Sequence, residues 1–581
     1  MMPSMTSDNA SVEVESQFDA PDLDAVERWL RAQPTYAPVA LDDRGEKTQR
    51  DTYLDSVDWR VFHAGYSLRV RTKGDASEVT LKALARDTQG PVRRAEFSEA
   101  GEIDVLATSE GPVGERLRLI LRGAPLRPLL TVTTRRHTWV VRSASTDLAE
   151  VALDDTTADS DGVSSTLRRV EIEEIEPGGL EAVQTFVHAL QSACALTPAA
   201  TSKFEAGLLA AGLRPAPPDL GPTGLTPDDR ASDRAYAILR RRLGELLIYE
   251  GGTALGEDPE SLHQMRVATR RLRAALQVFE TALPTTLLNT RGELRWLAQA
   301  LGAVRDLDVQ LERLDALRRA SPWDDSNALA PLATQFERAR VEARTALLAV
   351  LDDDRYARLV GTARDRLIAG PPAEAPDEPS RALGRRIIVR RYRQFRREAR
   401  LLRRSSPHAA YHALRIRGKR LRYSLELFID LYGRGAALAL VSLRRLQDLL
   451  GELQDLATTD ERLRLLVQTH AAELPPDTLV MIGRLTEQHR ARSVEIIDAF
   501  PRTYAAVLRR FDRLRRTPGW QRPAPRMEET PDAVPDVEPE PAAFAPASSI
   551  VPGETSPDAP AARPFRNAAW TLTRLFRRDP P

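Results

Sequence analysis

The sequence predicts an α+β multidomain chain: an antiparallel β-rich N-terminal domain, a duplicated all-helical domain, and a disordered C-terminal tail. Three observations carry this. Residues 11–212 are filled with short runs in which apolar and charged residues alternate, the period-2 mark of strands. Between 230 and 516 one helical unit occurs twice. From Thr517 the last 65 residues hold 14 of the 41 prolines and an acidic patch at 528–540, a composition that cannot bury enough apolar surface to fold.

The duplication is the firmest of these. The stretch HALRIRGKRLRYSLELF at 412–428 has a counterpart, HQMRVATRRLRAALQVF, at 263–279. His412, Arg415, Lys419, Arg420 and Arg422 pair with His263, Arg266, Arg270, Arg271 and Arg273, every pair 149 residues apart. The same offset joins LGAVRDLD at 301–308 to LGELQDLA at 450–457, so two separated motifs share one register, as a duplicated unit requires. At about 100° per residue, His263, Arg266, Arg270 and Arg273 fall within roughly an 80° arc. Ala268, Leu272, Leu276 and Phe279 gather on the opposite side, as a core face should. A basic stripe is often only a solvated face. Here, however, like charges at i,i+4 repel with no carboxylate among them, and two such faces would converge on a shared groove suited to a polyanion.

This pattern resembles the CHAD family, the conserved-histidine α-helical domain, through H-x-x-R-x-x-x-[RK]-R-L-R in both copies and Leu-Gly-x-x-Arg-Asp-x-Asp at 301–308. The resemblance covers 230–516, as repeats of about 230–370 and 380–516. It implies a bundle of two four-helix halves that binds inorganic polyphosphate through His263, Arg266, Arg270, Arg273, His412, Arg415, Lys419, Arg420 and Arg422. Gln454 stands in the second copy where Arg305 stands in the first.

In the N-terminal domain, strand-like runs begin at Val12, Tyr66, Glu78, Val92, Leu129, Ala149 and Arg168, with helical periodicity near 22–33, 113–122 and 180–195. One face of these strands is repeatedly ionic: Glu13 with Glu15, Arg69 with Arg71, Arg94 with Glu96, Glu150 with Asp154, Glu171 with Glu173. If the apolar face packs outward against helices, that ionic face lines an interior, tolerable only when wet or ligand-filled. The alternative is a sandwich with salt-bridged solvent faces.

These stretches, in this order, resemble the CYTH family of triphosphate tunnel metalloenzymes: Glu13-x-Glu15, Thr52-Tyr53-Leu54-Asp55, Leu68-Arg69-Val70-Arg71, Thr80-Leu81-Lys82, Arg94-x-Glu96, Arg136 before Trp139, Leu153-Asp154, Glu171-Ile172-Glu173 and Ser202-Lys203-Phe204. The resemblance covers about 11–212 and implies an eight-stranded antiparallel tunnel. In it Arg69, Arg71, Lys82, Arg94, Arg136 and Lys203 hold a triphosphate, while Glu13, Glu15, Asp154, Glu171 and Glu173 hold Mg²⁺ or Mn²⁺; Glu13, Glu15, Lys82 and Lys203 are the catalytic set. Phosphoryl transfer to water needs chiefly positioning and charge neutralisation, for which hard oxygen ligands and bidentate guanidiniums are the suitable groups. The family's first strand normally reads Glu-x-Glu-x-Lys. Gln17 here brings neither charge nor base, which puts turnover in question, and Ile175 replaces a third Glu on the last strand.

The expected function is a metal-dependent inorganic triphosphatase coupled to polyphosphate binding. The alternative is a catalytically weak or inactive polyphosphate-binding protein associated with polyphosphate granules. Nucleic-acid binding, prompted by 16 Lys or Arg against one acid in 381–425, is weakened because aromatic residues for base stacking do not interleave the basic stripe. Residues 213–229 read as a Pro/Gly linker. One cysteine, Cys194, excludes an intrachain disulfide and fits a cytoplasmic location. No apolar run approaches a membrane span. The segment 563–578, with five arginines and interleaved Phe, Trp and Leu, suits a membrane or partner surface.

Overall fold

The computed structural model describes residues 11–33, 35–36, 39–73, 76–84, 91–106, 110–320, 327–375, 378–470, 472 and 474–521. The acidic patch and the 563–578 segment lie outside them. The chain divides into two compact units, Met1–Asp219 with Leu247–Ser261, and Leu220–Leu246 with Leu262–Pro581.

In the first unit eight strands close into one antiparallel ring. They are β1 (Ser11–Asp19), β2 (Val39–Ser56), β3 (Tyr66–Lys73), β4 (Ala76–Ala83), β5 (Val92–Ala100), β6 (Leu126–Ser143), β7 (Thr146–Ser160) and β8 (Val163–Glu174). The order around the ring is β1-β5-β4-β3-β2-β6-β7-β8, and pairing of Glu15 with Glu173 and of Gln17 with Glu171 joins β8 back to β1. Closure removes the sheet edges and gives the strands an inside and an outside.

The apolar outside packs on helices. Val14, Phe18, Val141, Val151 and Ile172 bury against Val26 and Leu30 of α1 (Leu23–Ala32) and Phe186 and Leu190 of α3 (Gln184–Ala193). Leu68, Val79, Leu81 and Phe97 bury against Val113, Leu117 and Ile120 of α2 (Pro112–Leu121). The three helices fall where periodicity placed them. A fourth, α4 (Lys203–Ala210), is fixed by a Ser202/Glu205 capping box. It sets Phe204 and Leu208 against Tyr53, Leu130 and Val132, which share strand parity with the ionic face, and so covers one end of the interior.

Asp55 ends the Tyr53-Leu54-Asp55 motif by accepting the backbone amides of Ser56, Val61 and Phe62, at 2.7, 2.9 and 2.9 Å. Burial pushes its carboxyl up to about 6. An acid whose folded value exceeds its ordinary one stabilises fully below the ordinary value, near 4, and loses that contribution as pH rises through the folded value. Wild-type stability should therefore fall by about 2–3 kcal/mol between pH 4 and 7 from this group. Asp55→Asn should flatten that fall in urea midpoints measured across the range.

The second unit is helical and internally duplicated. Helices α5 (Ala231–Ile248), α6 (Pro259–Val278), α7 (Thr290–Ala320), α8 (Ala330–Asp352) and α9 (Asp354–Ala369) form one half. The other comprises α10 (Ser380–Leu401), α11 (His408–Leu427), α12 (Ile429–His470, kinked at Gly433, φ 60°) and α13 (Pro476–Leu514). Both ends of α6 and α11 differ by the 149-residue offset.

Equivalent residues of the halves meet each other. Phe279 and Phe428 have ring centroids 5.3 Å apart. Ala231 donates to the Glu378 carbonyl at 2.8 Å, and its equivalent Ser380 donates to the Asp229 carbonyl at 3.0 Å. Arg313 meets Asp455 at 2.8 Å, and the equivalent Arg462 meets Asp306 at 3.4 Å. Paired reciprocal contacts of this kind define an approximate two-fold axis between the halves.

The helical fold runs past the expected 516 boundary. Pro518–Gln521 form a short helix whose Trp520 is buried on Tyr432, ring centroids 4.9 Å apart, while Arg381 holds the Gly519 carbonyl at 3.0 Å. Proline density misplaced that boundary because a single tryptophan anchors the turn.

Candidate functional site

Every ionic residue singled out on the strands faces the interior of the ring, because strand alternation and ring closure put one parity inside. The side chains there form two connected clusters. In one, Glu15, 2% exposed, pairs with the buried Arg94. Lys82 bridges Glu13, Glu15 (3.3 Å) and Glu96 (3.9 Å). Arg69 reaches Glu96 at 3.4 Å, and Arg71 grips Asp51 bidentately at 2.7 and 2.8 Å.

In the other cluster Asp154, fully buried, receives Arg136 bidentately at 2.7 and 2.6 Å and also Lys203. Glu171 takes Arg136 at 2.6 Å and Lys203 at 2.9 Å. Burial alone would raise the Glu171 carboxyl, but Lys203 and Arg136 outweigh it and hold that carboxyl well below the ordinary range. Gln17 lies on this same face and donates to Glu171 at 3.2 Å.

The carboxylates divide by partner. Asp154 and Glu171 are saturated by Arg136 and Lys203 and so aim those cations. Glu173 differs: burial, then the charge of Glu13, pushes its carboxyl up to about 7, and Glu150, directly opposite it on β7, adds to the rise. Glu13, Glu150 and Glu173 together offer hard oxygen donors whose mutual repulsion a divalent cation would relieve. Among the described residues no three His, Cys, Asp or Glu side chains are grouped as a ready metal site. Lys82 already engages Glu13 and Glu15, so a cation would have to share or displace that ammonium. The donor chemistry fits a divalent ion.

In the helical unit, the two basic stripes converge on the two-fold axis and are more buried than a solvent-lined groove requires. Arg266, Arg415 and Lys419 are 5%, 1% and 5% exposed, while His263, Arg270, Arg273, His412, Arg420 and Arg422 are half-buried. The cause is the second repeated motif. Asp306 on α7 faces Arg266 at 3.6 Å as well as Arg462 of the other half. Its equivalent Asp455 on α12 takes Arg313; burial raises the Asp455 carboxyl above its ordinary value despite the opposing pull of Arg313, Arg415 and Lys419. Further out, Arg422 pairs with Glu426 at 3.6 Å. The imidazole Nδ1 of His412 lies 2.5 Å from Gln454 Oε1, a carbonyl that accepts. In the first half the corresponding Arg305 instead pairs with Glu312 at 3.0 Å.

Family models match this chain twice: a CYTH domain at residues 41–205 and a CHAD domain at 237–464. The chain joins a CYTH domain to a CHAD domain. It is similar to a crystal structure of the CHAD domain from the plant Ricinus communis, at 30% identity over 50% of this chain and 96% of that one, TM-score 0.42. It is also similar to PptA from Streptomyces chartreusis, at 20% identity over 48% of this chain and 100% of that one, TM-score 0.38. A third similarity is to a Hippeastrum protein named as an adenylyl cyclase, in which triphosphatase activity is described as dominant. It is 15% identical, over 35% of this chain and 97% of that one, with TM-score 0.27. No curated protein matches the sequence.

The CYTH domain places the chain in a triphosphatase-type family whose members act on triphosphates and use a divalent metal. Strand β1, which carries Glu13, Glu15 and Gln17, precedes the matched CYTH span, yet it completes the ring by pairing with β5 and β8. Gln17 touches Glu171, which Lys203 also contacts. Sequence reading missed Asp51, which sits between Arg69 and Arg71, although its parity with Tyr53 was available as a signal. It also passed over Arg169, 1% exposed and bonded to Asp19 at 3.0 Å, on the parity of Glu171 and Glu173. No described helix is long and apolar enough to cross a membrane.

Proposed function

We propose that the CYTH domain hydrolyses inorganic triphosphate with Mg²⁺ or Mn²⁺, and that the CHAD domain binds polyphosphate. The observation that carries this reading is one closed ring of strands into which Arg69, Arg71, Lys82, Arg94, Arg136 and Lys203 all project, each against a carboxylate. Those pairs hold the cations in place, so a phosphate chain would meet donors that are already oriented. Arg69, Arg71, Arg94 and Arg136 would grip non-bridging oxygens bidentately, and Lys82 and Lys203 would add point charges. Glu13, Glu15 and Glu173 would hold the divalent ion, which supplies charge neutralisation on the transferring phosphoryl group when bound. Asp154 and Glu171 would act by aiming Arg136 and Lys203.

The test is phosphate release from tripolyphosphate by the full chain, with and without Mg²⁺. Release that requires the metal supports the reading, and none with either Mg²⁺ or Mn²⁺ removes it. A second reading is favoured by Gln17: a tunnel without that cation that binds but barely turns over, in a protein that serves polyphosphate granules. Gln17→Lys separates the two. The new ammonium would join Lys203 at Glu171, and if missing charge limits turnover, kcat should rise about tenfold, near 1.4 kcal/mol, by more than KM falls. Unchanged kcat would mean that Lys203 already does this work.

A further inference from the structure

Helix α10 carries a second basic stripe, separate from the buried one on α6 and α11. Arg386, Arg390, Arg393, Arg397 and Arg400 recur at steps of four and three, and all are exposed. Their other face is core: Leu383, Ile387, Ile388 and Phe395 are buried. At about 1.5 Å rise per residue the stripe runs some 21 Å along the outside of the bundle. Its ends meet acids of the fold. Arg386 pairs with Glu378 at 3.0 Å, and Arg404, just beyond the helix, pairs with Asp498 at 2.8 Å. Among the described residues Arg390, Arg393 and Arg397 make no ion pair, and Glu398 is the one acid on the helix. Burial, then the charges of Arg390 and Arg420, pushes the Arg391 guanidinium down to about 9.

Where the described chain ends matters here. Arg381, in the first turn of α10, donates to the carbonyls of Leu431 at 2.7 Å and Gly519 at 3.0 Å, which anchors Pro518–Gln521 at the start of the stripe. Seven residues beyond Gln521 comes Glu528, followed by Glu529, Asp532, Asp536, Glu538 and Glu540, with no Lys or Arg from 527 to 540. An extended chain covers about 3.3 Å per residue, so the segment 528–540, 7 to 19 residues past Gln521, has a reach of roughly 23 to 63 Å, enough to round the helix and follow the stripe. We propose that the acidic segment 528–540 docks on the exposed arginines of α10, Arg390, Arg393 and Arg397 above all. The match is of sign and of reach: unpartnered guanidiniums along one helix face, and carboxylates on a tether fixed at its first turn. Tethering gives an effective concentration of order millimolar, enough for weak charge pairs to hold at modest salt.

The experiment uses three forms of the full chain: wild type; a tail-neutral form with the six acids of 528–540 changed to Gln or Asn; and that form with Arg390→Glu, Arg393→Glu and Arg397→Glu added. A fluorescein-labelled peptide of residues 527–540 is titrated by anisotropy at 20 and 200 mM NaCl. The tail-neutral chain should bind it at least tenfold more tightly than wild type, with an affinity that falls steeply with salt, and the added reversals should abolish binding. Equal binding to wild type and tail-neutral chains, or binding that survives the reversals, overturns the proposal. So does uptake of duplex DNA or phosphatidylserine vesicles by wild type as strong as by the tail-neutral chain, since the stripe would then be open to those partners. Arg393→Lys in the otherwise wild-type chain guards against a misfolded triple variant: carbodiimide should link the introduced amine to a carboxylate within 528–540, and linkage elsewhere refutes the docking.

Discussion

Glu15→Gln should lower Mg²⁺-dependent release of phosphate from tripolyphosphate by at least a hundredfold while leaving the chain folded. Glu15 is 2% exposed, sits directly across from Glu173 in the β1–β8 pairing, and contacts both Arg94 and Lys82. Alanine would be a poor probe. It would leave the buried Arg94 guanidinium without its carboxylate, a loss that typically costs about 3–5 kcal/mol and would confuse unfolding with lost chemistry. Glutamine keeps an oxygen for Arg94 and removes only the charge. A hundredfold loss corresponds to about 2.7 kcal/mol of barrier, reasonable for one anionic ligand of a divalent ion in a water-poor site. Metal binding offers a readout apart from turnover: Mg²⁺ should raise the Tm of wild type and not of the variant. Full activity in Glu15→Gln would show that the reaction, if any, does not use this tunnel.

Some of this was written in the chain and some was not. The ionic parity of β1, β3, β5, β7 and β8 was legible because one face carries both signs of charge while the other carries Val, Leu and Ile, and only a lined interior makes sense of both. Strand β2 gave no such signal. Its residues 43–50 are largely polar and exposed, with Gly45 at positive φ, and it is a strand because β6 pairs with it along nearly its whole length. The duplication was legible down to helix ends, since equal offsets preserve equal helices. That the stripes would be buried was not. The stripes' one acid, Glu426, lies at the far end of the second copy, and the carboxylates that meet their buried ends, Asp306 and Asp455, arrive from the other repeated motif about 40 residues away. Helical periodicity finds the face of a helix, but which charge meets it is decided by tertiary packing.

That burial sharpens what polyphosphate should do in the CHAD domain. Arg266 and Arg415 meet Asp306 and Asp455 near the two-fold axis, whereas Arg270, Arg273 and Arg422 lie further along their helices and are only half-buried. A long polyanion laid across the axis would engage both stripes at once, several phosphates along one chain. Affinity for long polyphosphate should then fall steeply with salt, because each neutralised phosphate releases counterions. Pyrophosphate, too short to bridge the stripes, should bind far more weakly. Affinity should also rise modestly as pH falls, because a bound anion beside His263 and His412 favours their charged forms. Arg266→Ala with Arg270→Ala should remove most of the affinity, since the remaining stripe cannot bridge. Arg266 is buried against Asp306, so a second pair, Arg270→Gln with Arg273→Gln, keeps the test independent of stability. It should weaken binding at least tenfold and reduce the slope of log affinity against log salt by about one per lost contact. Both variants and wild type are to be titrated with long polyphosphate and with duplex DNA of matched charge. Equal affinity for DNA, or half-buried variants that bind like wild type, would leave a generic basic surface and remove polyphosphate from the reading.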